Sequence, residues 1–181
     1  MNNCQTKLEE PKIELVSGFV SNSSQLFDRI KDLVVWDERL RSRKTASYGV
    51  AYNYSGMTYP AVEMLDALIP ICDRIEEQVG FMPNNCLLNY YPDGNSTMGY
   101  HSDNISELKA GTGVAIVSLG AARYIYYRNK RDRAIEHKYL LNSGDLLYMD
   151  DNIQQHWLHA IPQQPQASER ISLTFRHIST V

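Results

Sequence analysis

GVAIVSLGAARYIYYR, residues 113–128, holds two short runs rich in Val, Ile and Tyr, Gly113 to Leu119 and Arg123 to Arg128, on either side of a glycine break. Runs of this length, built from β-branched and aromatic residues and bounded by turn residues, read as strands. The same texture begins after Gly80 and continues to the carboxy terminus. Cys86 to Tyr91, His137 to Leu141, Asp145 to Met149, His156 to Ile161 and Arg170 to Ile178 bring the set to seven. The connections Pro92-Asp93-Gly94-Asn95, Asn142-Ser143-Gly144 and Asp150-Asp151-Asn152 carry the chemistry of tight reversals, and Pro162 to Ala167 reads as a loop between two strands. Seven strands so spaced predict an antiparallel double-sheet jelly roll.

Upstream of Gly80 the periodicity is helical. Leu26, Phe27, Ile30, Leu33 and Val34 recur on one face of Ser24 to Val35, with Ser23 or Ser24 as the cap. Ala61 to Val79 reads as two helical pieces meeting at Pro70, the second ending before Gly80. The expected class is therefore α+β, a double-stranded β-helix (jelly roll) carrying an amino-terminal helical layer.

A chain of 181 residues is one domain that can bury a large apolar core without staples. With 43% hydrophobic and 22% charged residues it is globular, and no apolar run is long enough to span a bilayer. Cys4, Cys72 and Cys86 form no disulfide framework, and Met1 to Glu10 lacks a basic-then-apolar leader, which points to a reducing intracellular compartment. Eighteen basic against 21 acidic residues exclude a polycation but leave room for local basic patches. Two are visible, Arg39, Arg41, Arg43 and Lys44, and the turn Arg128-Asn129-Lys130-Arg131-Asp132-Arg133.

His101-Ser102-Asp103 places an imidazole and a carboxylate two residues apart, on one face of a strand, where both can reach one metal ion. With five histidines and 21 acidic residues such a pair arises readily by chance, so a third ligand is required. His156 and His159 both lie on a late strand that could deliver it and complete a facial triad with open coordination positions. Arg170 and Arg176 share a face of the last strand, roughly 20 Å apart along the backbone, and suit the two ends of a short dicarboxylate. Asn89 and Tyr91, again two apart, offer neutral donors to the same acid.

In this order, Asn89-x-Tyr91, His101-x-Asp103, His159 and Arg170-Ile-Ser-Leu-Thr-Phe-Arg176 resemble the AlkB-type iron(II)/2-oxoglutarate dioxygenases, over roughly residues 43 to 178. The strings Arg43 to Gly49, Tyr52-Asn53-Tyr54-Ser55-Gly56 and His156-Trp157-Leu158-His159 are similar to the eukaryotic nuclear DNA-repair members. The resemblance implies His101, Asp103 and His159 as iron ligands and catalytic centre, with His156 structural. It implies Asn89, Tyr91, Arg170 and Arg176 as 2-oxoglutarate ligands, Arg176 nearer the metal and Arg170 at the far carboxylate. Tyr52, Tyr54 and Ser55 match the lid over a flipped base, with Tyr54 stacking on one face. Asn104 is expected to border the base, and the basic turn is expected to reach nucleic-acid phosphates through Arg128, Lys130 and Arg131.

The implied activity is oxidative demethylation of N-alkylated nucleic-acid bases, with iron(II), 2-oxoglutarate and dioxygen, releasing formaldehyde, succinate and CO2. DNA is the expected partner in preference to RNA, no membrane is involved, and the chain is expected to be a monomer in the cytoplasm or nucleus. It would be a single domain over 1–181, with an extension and helix at 1–42, a recognition lid and support helix at 43–80, and a catalytic core at 81–178. One position departs from the family: the acidic residue usual two places after the metal aspartate is here Ile105. That departure keeps open a hydroxylase of a small molecule or protein side chain. A nucleic-acid-binding module with a vestigial metal pocket is the third alternative.

Overall fold

A computed structural model describes residues 10–54 and 56–179. Its main sheet has six strands in the order β1 (Glu14–Val16), β10 (Leu146–Met149), β7 (Val114–Gly120), β12 (Arg170–Arg176), β5 (Asn85–Tyr91) and β2 (Lys44–Gly49). A second sheet of four strands runs β6 (Met98–His101), β11 (Trp157–Ile161), β8 (Arg123–Asn129) and β9 (Glu136–Leu141), and every pairing in both sheets is antiparallel. The hairpin of β3 (Tyr52–Tyr54) and β4 (Met57–Tyr59) stands apart from both.

Side-chain alternation divides the main sheet between two cores. Cys86, Leu88, Val117, Leu119, Ile171, Leu173 and Phe175 face outward onto α1 (Ser23–Leu33) and α2 (Ile69–Val79), meeting Leu26, Ile30, Ile71 and Ile75. Leu87, Tyr91, Val114, Ile116, Leu147 and Met149 face inward, where they meet Ile125, Tyr127, Trp157 and Ile161 of the second sheet. The jelly-roll expectation holds, and the interior between the sheets is where the inward polar residues converge.

Several local expectations are corrected. The segment before α2 is not helical: Val62 exchanges both backbone hydrogen bonds with Gly49, which holds the chain extended, and only Ile69–Val79 coils. Pro70 sits in that helix's first turn, where its missing N–H removes no bond. α1 stops at Leu33, its Ncap is Asn22 without a side-chain cap, and Val35 is 90% exposed. Asp150-Asp151-Asn152 does not reverse the chain but starts α3 (Asp151–His156), the Asp150 carboxylate accepting from Ile153 N–H at 3.0 Å. His156 therefore closes a helix and does not open a strand.

Candidate active site

β6 and β11 are neighbours, and their register sets His101 directly opposite His159, with ring centroids 4.3 Å apart. β6 ends at His101, so strand alternation does not aim Asp103 as the spacing had suggested. Two contacts do so instead: its backbone N–H donates to Gln154 Oε1 at 2.8 Å, and its Oδ1 accepts from Arg176 Nη2 at 2.5 Å. One donor atom from each of His101, Asp103 and His159 lies within 4.8 Å of the others. His156 is exposed, bonds Asn152 O through Nδ1 at 2.9 Å, and stands outside the cluster.

The protonation states suit a metal. Burial, reinforced by His101 and Arg176, pushes His159 down to about 3, so its imidazole is neutral. Burial alone would raise Asp103, but Arg176, His159 and His101 together hold it at about 2, so it is ionised. The His101 Nδ1 contact to Gly99 O at 2.9 Å places the proton on Nδ1 and leaves the Nε2 lone pair for a ligand. Asp103 Oδ2 and His159 Nδ1 are buried with no hydrogen-bond partner among the described residues. Two imidazoles, that of His159 neutral, and a carboxylate with an unspent oxygen fit a divalent first-row metal with open positions.

Behind this triad lies the inner face of β12. Because β12 is central in the main sheet, Arg170 and Arg176 are 1% and 3% exposed and are not solubilising charges on an edge. Arg170 donates from Nε to Ser118 Oγ at 3.0 Å, its Nη1 has no hydrogen-bond partner among the described residues, and its guanidinium lies 5.1 Å from the Tyr91 ring centre. Asn89 is buried, and its carbonyl accepts from Arg43 Nε at 2.8 Å. The fold thus brings Asn89, Tyr91, Arg170 and Arg176 into one interior beside the triad.

The base-facing group is more dispersed. Tyr54 is half-buried at the mouth, with Asn53, His101, Ser102 and Asn104 around the same opening. Tyr52, by contrast, is buried, its ring 4.9 Å from the Arg176 guanidinium, and is a wall residue. Ser55 lies outside the described residues. Asn104 spends its carbonyl on Ser106 N–H and Oγ–H, capping the short turn Ile105–Glu107. Ile105 packs against the inner core and offers no acceptor. Arg128 pairs with Glu136 and lies 3.9 Å from the Tyr100 ring centre, Lys130 bonds Ser102 Oγ and Gln154 O, and Arg131 is exposed. Most of the other basic patch is spent internally: Arg39 pairs with Asp37, Lys44 with Glu38, and Arg43 is buried, while Arg41 is exposed.

Sequence reasoning put Arg43 in a basic patch, whereas it is buried and also donates to Tyr54 Oη, and it missed Gln154, which holds Asp103. It missed Arg123, fully buried, bonded to three backbone carbonyls and 5.7 Å from the Tyr91 ring centre. No spacing signals these residues, since each acts through neighbours distant in sequence.

The profile of the 2OG-Fe(II) oxygenase superfamily matches residues 20–176. The chain belongs to that superfamily, in its AlkB-type branch. The DNA oxidative demethylase ALKBH2 of Mus musculus is 36% identical over 147 residues, covering 75% of this chain and 62% of that protein, and the Bos taurus protein is 34% identical over 148 residues, covering 75% and 53%. The alpha-ketoglutarate-dependent dioxygenase alkB homolog 3 of Rattus norvegicus is 30% identical over 189 residues, covering 92% and 64%. The chain thus spans between about half and just under two thirds of these relatives. The structure of OsALKBH1 superposes with a TM-score of 0.66 at 18% identity, covering 93% of this chain and 99% of that one, a likeness of fold. Membership implies iron(II), 2-oxoglutarate and dioxygen, and the donor set above fits them.

Proposed function

We propose that this AlkB-type oxygenase removes N-alkyl groups oxidatively from nucleic-acid bases, DNA in preference to RNA. The observation that carries the reading is the continuity of the site: an aromatic mouth at Tyr54 opens onto the His101, Asp103 and His159 cluster, with buried Arg176 directly behind Asp103. His101, Asp103 and His159 would hold the iron, while Asn89, Tyr91, Arg170 and Arg176 would bind the keto-diacid. Bound there, iron(II) with 2-oxoglutarate and dioxygen would supply hydroxylation of the N-methyl carbon and so its release as formaldehyde.

The chain's own residues supply the geometry. Tyr54, fixed by Arg43, presents a ring face on which any base can stack. Gln154 and Arg176 hold the Asp103 carboxylate in one orientation, and Arg170 supplies a buried guanidinium to the far carboxylate. Packing of Leu87, Ile116 and Met98 around the pocket keeps bulk water from the reacting carbon. Arg131 and Lys130 on the rim would meet phosphates. Residues 1–181 would act as a single domain and a monomer, in a reducing nuclear or cytoplasmic compartment. Among the described residues no helix is long and apolar enough to cross a membrane.

Product analysis across oligonucleotides bearing single methylated bases, with Ile105→Asp run in parallel, tests the reading. Loss of methyl with matching succinate supports it, and a wider lesion range in Ile105→Asp assigns the apolar rim at Ile105 to substrate choice. Succinate formed on an amino-acid or small-molecule substrate, with every oligonucleotide intact, would favour the hydroxylase reading that Ile105 keeps open.

A further inference from the structure

Tyr127 of β8 is the register partner of His159, so the two side chains leave their sheet on the same face, and both are buried, at 0% and 2% exposure. Their rings lie 6.0 Å apart. A phenol reaches farther from the backbone than an imidazole, so its hydroxyl enters deeper between the sheets. Tyr139 packs edge-on against the same ring at 5.8 Å, yet the Tyr127 hydroxyl has no hydrogen-bond partner among the described residues. A buried hydroxyl with nothing to bond is costly, and such groups in native proteins call for an explanation.

Other polar atoms in the interior between the two sheets are unpaired as well. Arg170 Nη1 and Arg176 Nε, inward-facing on β12, are likewise buried without partners. Arg123, Arg170 and Arg176 bring three buried guanidinium groups into this interior, against the single carboxylate of Asp103. Charge and unspent donors both call for a dianion. Resting on the co-substrate reading above, we propose that Tyr127 is a further binding residue for the keto-diacid, its O–H donating to an oxygen of that ligand. Burial pushes the phenol well above its ordinary range, so it stays protonated and able to donate.

Tyr127→Phe removes only the hydroxyl and keeps the ring packing. Two readouts are taken on the full chain: the melting temperature without metal, and calorimetric binding of 2-oxoglutarate to protein loaded with manganese(II). The variant is expected to keep or gain melting temperature, since it loses an unsatisfied group, and to bind 2-oxoglutarate roughly tenfold more weakly, the size of one hydrogen bond to a charged acceptor. Tyr139→Phe, removing a neighbouring phenol, is expected to leave the affinity unchanged. Wild-type affinity in Tyr127→Phe overturns the proposal, as does a fall of several degrees without metal, which would mean the hydroxyl bonds within the protein. Failure of the wild type itself to bind 2-oxoglutarate is a separate result that removes the co-substrate reading and the proposal with it.

Discussion

Replacing Arg176 with Met leaves the Asp103 carboxylate buried without its counter-charge. The pair sits at 2.5 Å with both side chains 3% exposed. At an effective dielectric constant of about 20 its Coulomb energy is roughly 6–7 kcal/mol, most of which offsets the cost of taking two charges out of water. Removing one partner exposes that cost, about 3–5 kcal/mol, or roughly 6–20 °C in melting temperature for a domain of this size. Asp103→Asn combined with Arg176→Met removes both charges, and should regain much of the loss, giving a coupling energy of about 2 kcal/mol or more in urea unfolding of metal-free protein. Manganese(II) should stabilise Arg176→Met more than wild type, because Asp103 there has no other cation, and should not shift the double variant. Additivity of the two substitutions within about 0.5 kcal/mol would refute the ion-pair argument.

Acid stability offers a second check. His159 is held near 3 in the fold against 6.5 unfolded, so between those values the unfolded chain binds a proton that the native chain refuses. Metal-free protein should therefore lose stability as the pH falls from about 6.5 toward 3, by on the order of 4–5 kcal/mol, and His159→Gln should flatten that slope in pH-dependent melting. Parallel profiles would contradict this. Gln154→Ala leaves the Asp103 N–H without its acceptor and should weaken metal binding roughly 10-fold to 100-fold in a competition titration with a chromogenic chelator, with wild-type affinity the contrary result.

The long strands were legible because each sets apolar or aromatic residues closely enough to read as strand, and both faces are buried, as at Asn85–Tyr91 and Arg170–Arg176. The short strands β1 to β4 and β6, of three to six residues, were not, since too few residues alternate for a period to emerge. Asp150 shows a different kind of ambiguity: a carboxylate accepting from a nearby backbone N–H is equally the chemistry of a turn and of a helix cap, and only the following Ile153 and Gln154, buried against the core, decide for the helix. The same contrast holds at the site. His101, Asp103 and the two terminal arginines carry their spacing on the surface of the sequence, whereas Gln154 and Arg123 matter through partners 27 or more residues away and Tyr127 through a buried hydroxyl with no hydrogen-bond partner among the described residues.

Anaerobic iron(II) titration of wild type beside His101→Ala, Asp103→Ala and His159→Ala tests the triad most directly. One ion taken up per wild-type chain, with stoichiometric uptake lost in all three variants, is the predicted result. Wild-type uptake by any one of those variants would place the metal elsewhere.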